Sequence, residues 1–526
     1  MTLIDLRETE VSPSDTNTRR IALRPGEYWW GGVVEDGAKM PFRDRFYHCD
    51  MTHNIRGNQA TPLLISSHGR FVWSEQPLRF TFDERDGGLT VASDGAELVF
   101  EEGHDDLAGA YRSACRRFFL PSGQLPDPLN FLAPQYNSWI EMQYEPTQSK
   151  VLEYARGIRE CGFPPGVLMI DDNWFEHHGD WRFHTGRFPD PGAMVRQLHD
   201  DGFRVMLWIS PFISPDCGVY RELERKNLLV LDAHGAPIVR AWWNGQSAML
   251  DLSNPSAVQW LTRRLDHLVA AYGVDGFKFD AGDPEYIRAE DVLHGSMDAL
   301  GYCQAWAEIG LNYRFNEYRA CWKLAGQPLV QRLRDRLHTW GSGGLADIVP
   351  NGLAQGLAGY GFTCPDMVGG GDIGSFSGDD FQVDQELFVR TLQASLLFPI
   401  VQFSLAPWRV LDAEHLRYCR DAVQLRQSLA PEILALAERS ARTGEPILRH
   451  MSYVFPHADL ESVQDQFLLG DSILVAPVTE QGARSRRVAF PDGSWRAEHG
   501  EVIEGPCVQT VDAPLGRLPW FRRVSQ

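Results

Sequence analysis

Between residues 131 and 410, strand-length apolar runs alternate with helical segments, and no other feature constrains the fold of this chain as tightly. Eight runs read as strands: "FLAPQYNSW" (131–139), "GVLMIDD" (166–172), "FRVMLWISP" (203–211), "VDGFKFD" (274–280), "YRFNEYR" (313–319), "LADIVP" (345–350), "YGFTC" (360–364) and "FPIVQFS" (398–404). Helical stretches such as "QSKVLEYARGIREC", "PGAMVRQLHDDG" and "SAVQWLTRRLDHLVAAYG" lie between them. Strand and helix in alternation indicate parallel βα units. Strands apolar along their whole length, covered by amphipathic helices, suit a parallel sheet buried on both faces. Eight such units predict an α/β fold, a (β/α)8 TIM barrel.

The flanks read differently. Residues 1–125 carry short alternating stretches ("RFVWSE", "LRFTFDE", "GLTVAS") between turn residues, which predicts an N-terminal β-sandwich domain. The Pro- and Gly-rich "FFLPSGQLPDPLN" (118–130) reads as a linker. The catalytic barrel is placed at 126–435, with a helical region at 411–442, and a small C-terminal β-domain at 436–526. No internal repeat or low-complexity tract interrupts this plan.

A formal net charge of −20 disfavours nucleic acid and anionic membrane as partners. The N-terminal "MTLIDLRETE" lacks a basic region followed by an apolar stretch, and no apolar run is long enough to span a membrane. The nine cysteines are an odd number without a CxxC pair. They read as reduced thiols in a cytoplasmic protein and not as a disulfide framework or zinc site. A homo-oligomer is compatible with this composition. With 43% hydrophobic residues and 16 tryptophans the chain can bury a large core, and tryptophan also offers a flat apolar face to a sugar ring.

In a barrel of this kind chemistry sits at the C-terminal ends of the strands. Asp171, Asp172 and Trp174 follow the second run, Trp208 the third, Asp280 and Asp283 the fourth, and Glu317 and Arg319 the fifth. Any one such acid is more often a helix cap or turn former. Several on one rim, interleaved with tryptophans, fit a sugar site, where two carboxylates flanking a glycosidic bond act as nucleophile and general acid. Strand alternation points Lys278 and Asp280 the same way. That lysine either keeps Asp280 ionised for attack or forms a structural ion pair. A metal site built from Asp171, Asp172, His177 and His178 is disfavoured, because adjacent strand residues face opposite sides. "DMVGGGDIGSF" (366–376) lacks a Walker lysine and reads as a turn-rich loop of the site. No metal and no cofactor is called for.

These motifs, in this order, resemble glycoside hydrolase family 31 over most of the chain. "GFKFDAGD" is similar to that family's nucleophile strand, which implies Asp280 as nucleophile. "IDDNWFEHHGDWRFHTGRFPDPGAMVRQLHDDGFRVMLWISPFIS" is similar to the stretch holding the substrate-binding acid, Asp171, with Asp172 as the one-residue alternative. "RACWKLAGQPLVQRLRD" keeps the family's sixteen-residue spacing from Arg319 to the acid/base, which implies Asp335 in that role, although Arg332 replaces the usual tryptophan. Asp347 in "GGLADIVP" is the rival.

Asp366 matches a later aspartate near the sugar, and Ser404 stands where a sugar-binding histidine is usual. "WWNGQSAMLDLSNP" implies Trp243 and Asn244 at the sugar site. Trp208 and Arg319 complete the set that holds the sugar. The resemblance implies a retaining, exo-acting α-glycosidase working through a glycosyl-aspartate, with an α-galactoside as substrate and α-glucosides or sulfoquinovosides as alternatives. It also implies an apolar setting for Asp335, of the kind that keeps a carboxylic acid protonated. Two other classes compete: a metal-dependent barrel aldolase or isomerase, and a non-catalytic carbohydrate-binding protein.

Overall fold

The computed structural model describes residues 17–42, 46–83, 85, 87–377 and 381–524, so the N-terminal decapeptide read above lies outside the described residues. Eight short parallel strands make the central sheet: β1 (Gln135–Asn137), β2 (Val167–Ile170), β3 (Arg204–Ile209), β4 (Gly276–Phe279), β5 (Phe315–Tyr318), β6 (Gln331–Arg332), β7 (Thr363–Cys364) and β8 (Gln402–Phe403). Each pairs with its neighbour in chain order, and β8 returns to β1. Backbone bonds from Ile400 N to Thr363 O (3.1 Å) and from Val368 N to Gln402 O (2.8 Å) close the ring between β7 and β8. The sheet is therefore the expected barrel.

The three helices read from the sequence form at Gln148–Glu160, Pro191–Asp200 and Pro255–Tyr272. Thr147, Asp190 and Asn254 cap their N-termini by accepting backbone N–H bonds. Capping fixes where each helix starts, and so where the chain leaves the preceding strand.

One strand was misplaced. Residues 345–350 form a 3-10 turn, Leu345–Asp347, leading into a helix, Ile348–Leu357, that is buried at all ten positions. A helix buried all round presents the same unbroken apolar run as a core strand. The sixth strand is instead the two-residue β6, whose Gln331 and Arg332 carry no apolar signal.

Before the barrel, two antiparallel sheets pack face to face. One comprises Thr18–Ala22, Gly88–Ser93, Leu78–Asp83 and Tyr47–Asp50; the other contains Trp29–Val33, Gln59–Ser66, Phe71–Trp73 and Val99–Glu101. Phe80 and Phe82 of the first meet Phe42 and Trp29 between them. A short strand from the barrel's own loop, Cys321–Trp322, joins the second sheet by pairing in parallel with Gln59–Ala60.

After the barrel, a 31-residue helix, Ala413–Thr443, runs past the boundary expected at 435 and stops at Gly444 (φ 74°). A six-stranded antiparallel sheet follows, ending in the long hairpin Ser485–Ala497 and Val502–Asp512. One continuous apolar core runs from the N-terminal sheets through the barrel; a second, around Phe490, Trp495 and Phe521, serves the C-terminal sheet. Among the described residues no helix is long and apolar enough to cross a membrane. All nine cysteines are free thiols, eight of them buried.

Candidate active site

The chain after β4 explains the site. Gly276 lets β4 lie against β5, because a Cβ there would fall 1.9 Å from Phe315 O. Lys278 points into the barrel, where its Nζ lies 2.8 Å from Asp171 Oδ2 and 3.6 Å from Asp280 Oδ2. Past the strand, Ala281 (φ 54°) and Gly282 (φ 83°) both take left-handed backbone, and Ala281 N donates to Asp280 Oδ1. This sharp turn presents Asp280 and Asp283 to the same guanidinium. Arg319 at the end of β5 donates from Nε to Asp280 Oδ1 (3.2 Å) and from NH1 and NH2 to Asp283 (3.0 and 2.7 Å). Trp208 Nε1 donates to Asp280 Oδ2 (3.0 Å).

Burial alone would push the Asp280 carboxyl up. The Lys278 ammonium, then Arg319 and Arg332, and the Trp208 bond outweigh it and hold Asp280 well below the usual carboxylate range. Asp280 is thus an ionised carboxylate at any physiological pH. Asp171 and Asp280 in turn keep Lys278 charged despite its burial. The lysine contacts both acids, so the two readings of it coincide.

A cavity of about 560 Å³ opens above this floor. Of the residues read from sequence, Asp171, Asp172, Trp208, Trp243, Lys278, Asp280, Arg319 and Asp335 line it. Asp171 and Asp172 do not face opposite ways, as strand alternation had suggested. The strand ends at Ile170, and Asn173 is left-handed (φ 68°), so both acids turn inward. Asn244 donates to Asp172 from behind, with His178 Nε2 3.0 Å from the other oxygen, so Asn244 supports the wall without lining it. Both Trp243 and Asn244 sit in the turn of the hairpin Arg240–Trp242 and Gly245–Met249. Trp243 is 44% exposed and the Arg319 guanidinium lies 5.6 Å over its ring.

Asp335 forms part of the wall, its side chain 42% exposed, with Oδ1 accepting from Arg332 NH1 (2.7 Å). Its setting is ionic, not apolar: β6 places a guanidinium where an apolar wall was expected. Asp366 is fully buried behind Arg332 (2.5 Å) and does not line the cavity. Asp347 lies away from it too, accepting from Ser342 Oγ and Gly343 N. Ser404 is buried, its Oγ accepting from Ile140 N (2.7 Å). No three His, Cys, Asp or Glu side chains gather to hold a metal ion among the described residues.

Several wall residues were not read from sequence. Asn54, Arg56 and Gly57 reach in from the N-terminal sheets, and Gly57 O accepts from Arg319 NH1 (2.6 Å). Trp139 and Tyr144 follow β1; Glu285 and Tyr286 follow β4. The glycine-rich stretch does serve the site, through Asp372 and Ile373. Asp283, one of the acids read after the fourth strand, also lines the cavity and is the buried partner that fixes Arg319. A residue's place after a strand marks it as a candidate for such a site, but gives no sign of a loop whose Gly57 meets Arg319 across 262 residues of chain.

The fold and its ring of acids define an enzyme-type (β/α)8 barrel with its chemistry at the strand ends. Residues 134–309 match the glycosyl hydrolases family 31 TIM-barrel domain, and residues 444–525 match the glycosyl hydrolase family 31 C-terminal domain. The myogenesis-regulating glycosidase of Mus musculus is 33% identical over 419 residues, covering 78% of this chain and 58% of that protein. The sulfoquinovosidase of Escherichia coli (strain K12) is 25% identical, covering 70% and 55%. The chain thus spans a little over half the length of these curated relatives. A Flavobacterium johnsoniae GH31 dextranase complexed with glucose superposes with a TM-score of 0.85 at 22% identity, over 97% of this chain and 67% of that one. The chain belongs to glycoside hydrolase family 31.

Proposed function

We propose that this chain is a retaining, exo-acting α-glycosidase, with Asp280 as nucleophile and Asp335 as acid/base. The observation that carries the reading is Asp280 itself: an ionised carboxylate held by Lys278, Arg319 and Trp208 at a cavity whose wall holds a second, partly exposed carboxylate. Asp280 attacks the anomeric carbon while Asp335 protonates the leaving oxygen. Asp335 then removes a proton from water, which releases the sugar from the glycosyl-aspartate. A cavity of about 560 Å³, floored by Lys278 and Asp171, suits the end of a sugar chain. Asp171, Asp172 and Arg319 hold hydroxyls, Trp208 and Trp243 offer faces, and Asn244 fixes Asp172. Asp366 acts behind Arg332 and not on a hydroxyl.

An α-galactoside is the proposed substrate, supported by the "WWNGQ" hairpin and by Ser404, which spends its hydroxyl on the backbone and leaves no histidine contact there. No metal and no cofactor takes part in this scheme. A panel of nitrophenyl α-galactoside, glucoside, xyloside, N-acetylgalactosaminide and sulfoquinovoside identifies the sugar. On the preferred one, Asp280→Ala loses nearly all activity and azide restores turnover with inverted product. Asp335→Ala loses roughly a hundred- to ten-thousandfold on substrates that need acid assistance, whereas Asp347→Ala keeps full activity. A fully active Asp335→Ala, or loss of activity on adding chelator, would sink the reading.

A further inference from the structure

We propose that Arg332 is the positioning residue for Asp335: it fixes which carboxylate oxygen carries the transferred proton, and it is shared with Asp366. The inference rests on the reading of Asp335 as acid/base. Strand β6 buries the Arg332 guanidinium to 1% exposure, with NH1 bonded to Asp335 Oδ1 (2.7 Å), Asp366 Oδ1 (2.5 Å) and Leu333 O (3.1 Å). Among the described residues no other group hydrogen-bonds the Asp335 carboxylate. Oδ1 is thereby committed to accepting, and Oδ2 is left to bear the proton.

In the first step the Oδ2–H bond breaks as the proton passes to the leaving oxygen. The bond from that oxygen to the anomeric carbon breaks, and the Asp280–carbon bond forms. Negative charge then grows on Asp335 against a buried cation. Such a contact is stronger in the transition state than in the ground state, which is what lowers a barrier.

The sharing is built in. Asp366 has left-handed backbone (φ 86°), and its Oδ2 is tied to Arg336 N (2.8 Å), so Oδ1 stays aimed at Arg332. Gly371 closes the cluster: a Cβ there would sit 2.8 Å from Asp366 Oδ1 and 3.1 Å from Asp335 Oδ1. Glu317 Oε1 faces Arg332 Nε at 3.3 Å. Of the other nearby charges, Arg334 is exposed on the same cavity wall, and three more are engaged elsewhere. Lys278 lies on Asp171 and Asp280, Arg319 on Asp280 and Asp283, and Arg336 on Glu35. One guanidinium therefore faces three carboxylates directly, and its charge also reaches Asp280. Removing the cation favours their protonated forms, and removing Asp366 gives Asp335 the cation undivided.

The test uses aryl and alkyl α-glycosides of the preferred sugar, with leaving groups from 2,4-dinitrophenol to methanol, on the whole protein. Asp335→Ala must lose more activity as the leaving group becomes more basic; a uniform loss there refutes the acid/base reading itself. Arg332→Gln is expected to repeat that grading, roughly threefold or less on dinitrophenyl and at least about tenfold on phenyl and methyl substrates. Arg332→Lys recovers part of the loss. The alkaline limb of kcat/KM moves up in Arg332→Gln and down in Asp366→Asn. Where Arg332→Gln does not fold, Arg332→Lys and Asp366→Asn carry the same comparison. If Asp335→Ala shows the grading but the Arg332 variants lose activity evenly, or the two limbs move the same way, Arg332 is only structural and the inference falls.

Discussion

Three carboxylates around one guanidinium leave more negative than positive charge in the middle of a barrel. Burial pushes Glu317 up to about 7 although Arg332, Lys278 and Gln402 all oppose it. It pushes Asp366 up to about 6, with Arg332 opposing and Asp335 adding. A carboxyl whose pKa is raised by folding takes up a proton as the chain folds. Its contribution to stability is complete below the unfolded value and is lost as pH rises through the folded one. For Glu317 that window runs from about 4.5 to about 7. Wild type should lose on the order of 3 kcal/mol across it relative to Glu317→Gln, read from urea unfolding at a series of pH values. Parallel curves for the two proteins would show that Glu317 does not titrate there. Its other oxygen accepts from Gln402 Nε2 (2.6 Å), which glutamine in its place can still satisfy through its carbonyl.

At the scale of the element, strand β4 and its turn concentrate the requirements. Gly273 ends the preceding helix with left-handed backbone and no atom within 3.5 Å of a built Cβ, whereas Gly276 faces the carbonyl of Phe315 at 1.9 Å. Gly273→Ala should cost about 1 kcal/mol and spare activity. Gly276→Ala should cost more than about 2 kcal/mol and lower kcat, because β4 and β5 carry Asp280 and Arg319 on their ends. Equal losses for the two variants would contradict this.

The same stretch shows what a sequence reveals. The apolar run "GFKF" and the period of two place Lys278 beside Asp280 without any structure, and most of the barrel follows from such runs. Strand β6 was missed because two polar residues, Gln331 and Arg332, leave no periodic trace. Asp171 and Asp172 were set on opposite faces because the strand was read two residues too long. Asp283 looked like any turn acid, since its partner Arg319 lies 36 residues on.

Across the whole molecule, the N-terminal sheets and the barrel share more than a border. The buried amide of Gln59 donates to the backbone carbonyls of Arg319 and Arg332 (2.5 and 2.7 Å), and its own oxygen accepts from Gln355 (2.7 Å). Gln59→Leu removes this donor from two carbonyls, at about 1–3 kcal/mol each, and leaves the Gln355 amide only its bond to Gln331 O. It should lower the urea midpoint and, with Arg319 and Arg332 in the roles proposed above, lower kcat as well. Unchanged kinetics would place Gln59 in stability alone. Together with the parallel pairing of Cys321–Trp322 onto Gln59–Ala60, this predicts one unfolding transition for both parts.

The wall formed by Asn54, Arg56 and Gly57 carries that union into the cavity itself. A barrel joined at the 118–130 linker to other leading sheets would lose this part of its cavity wall. Substitutions in the loop at 51–58 can reshape the cavity while the barrel strands keep every acid in place.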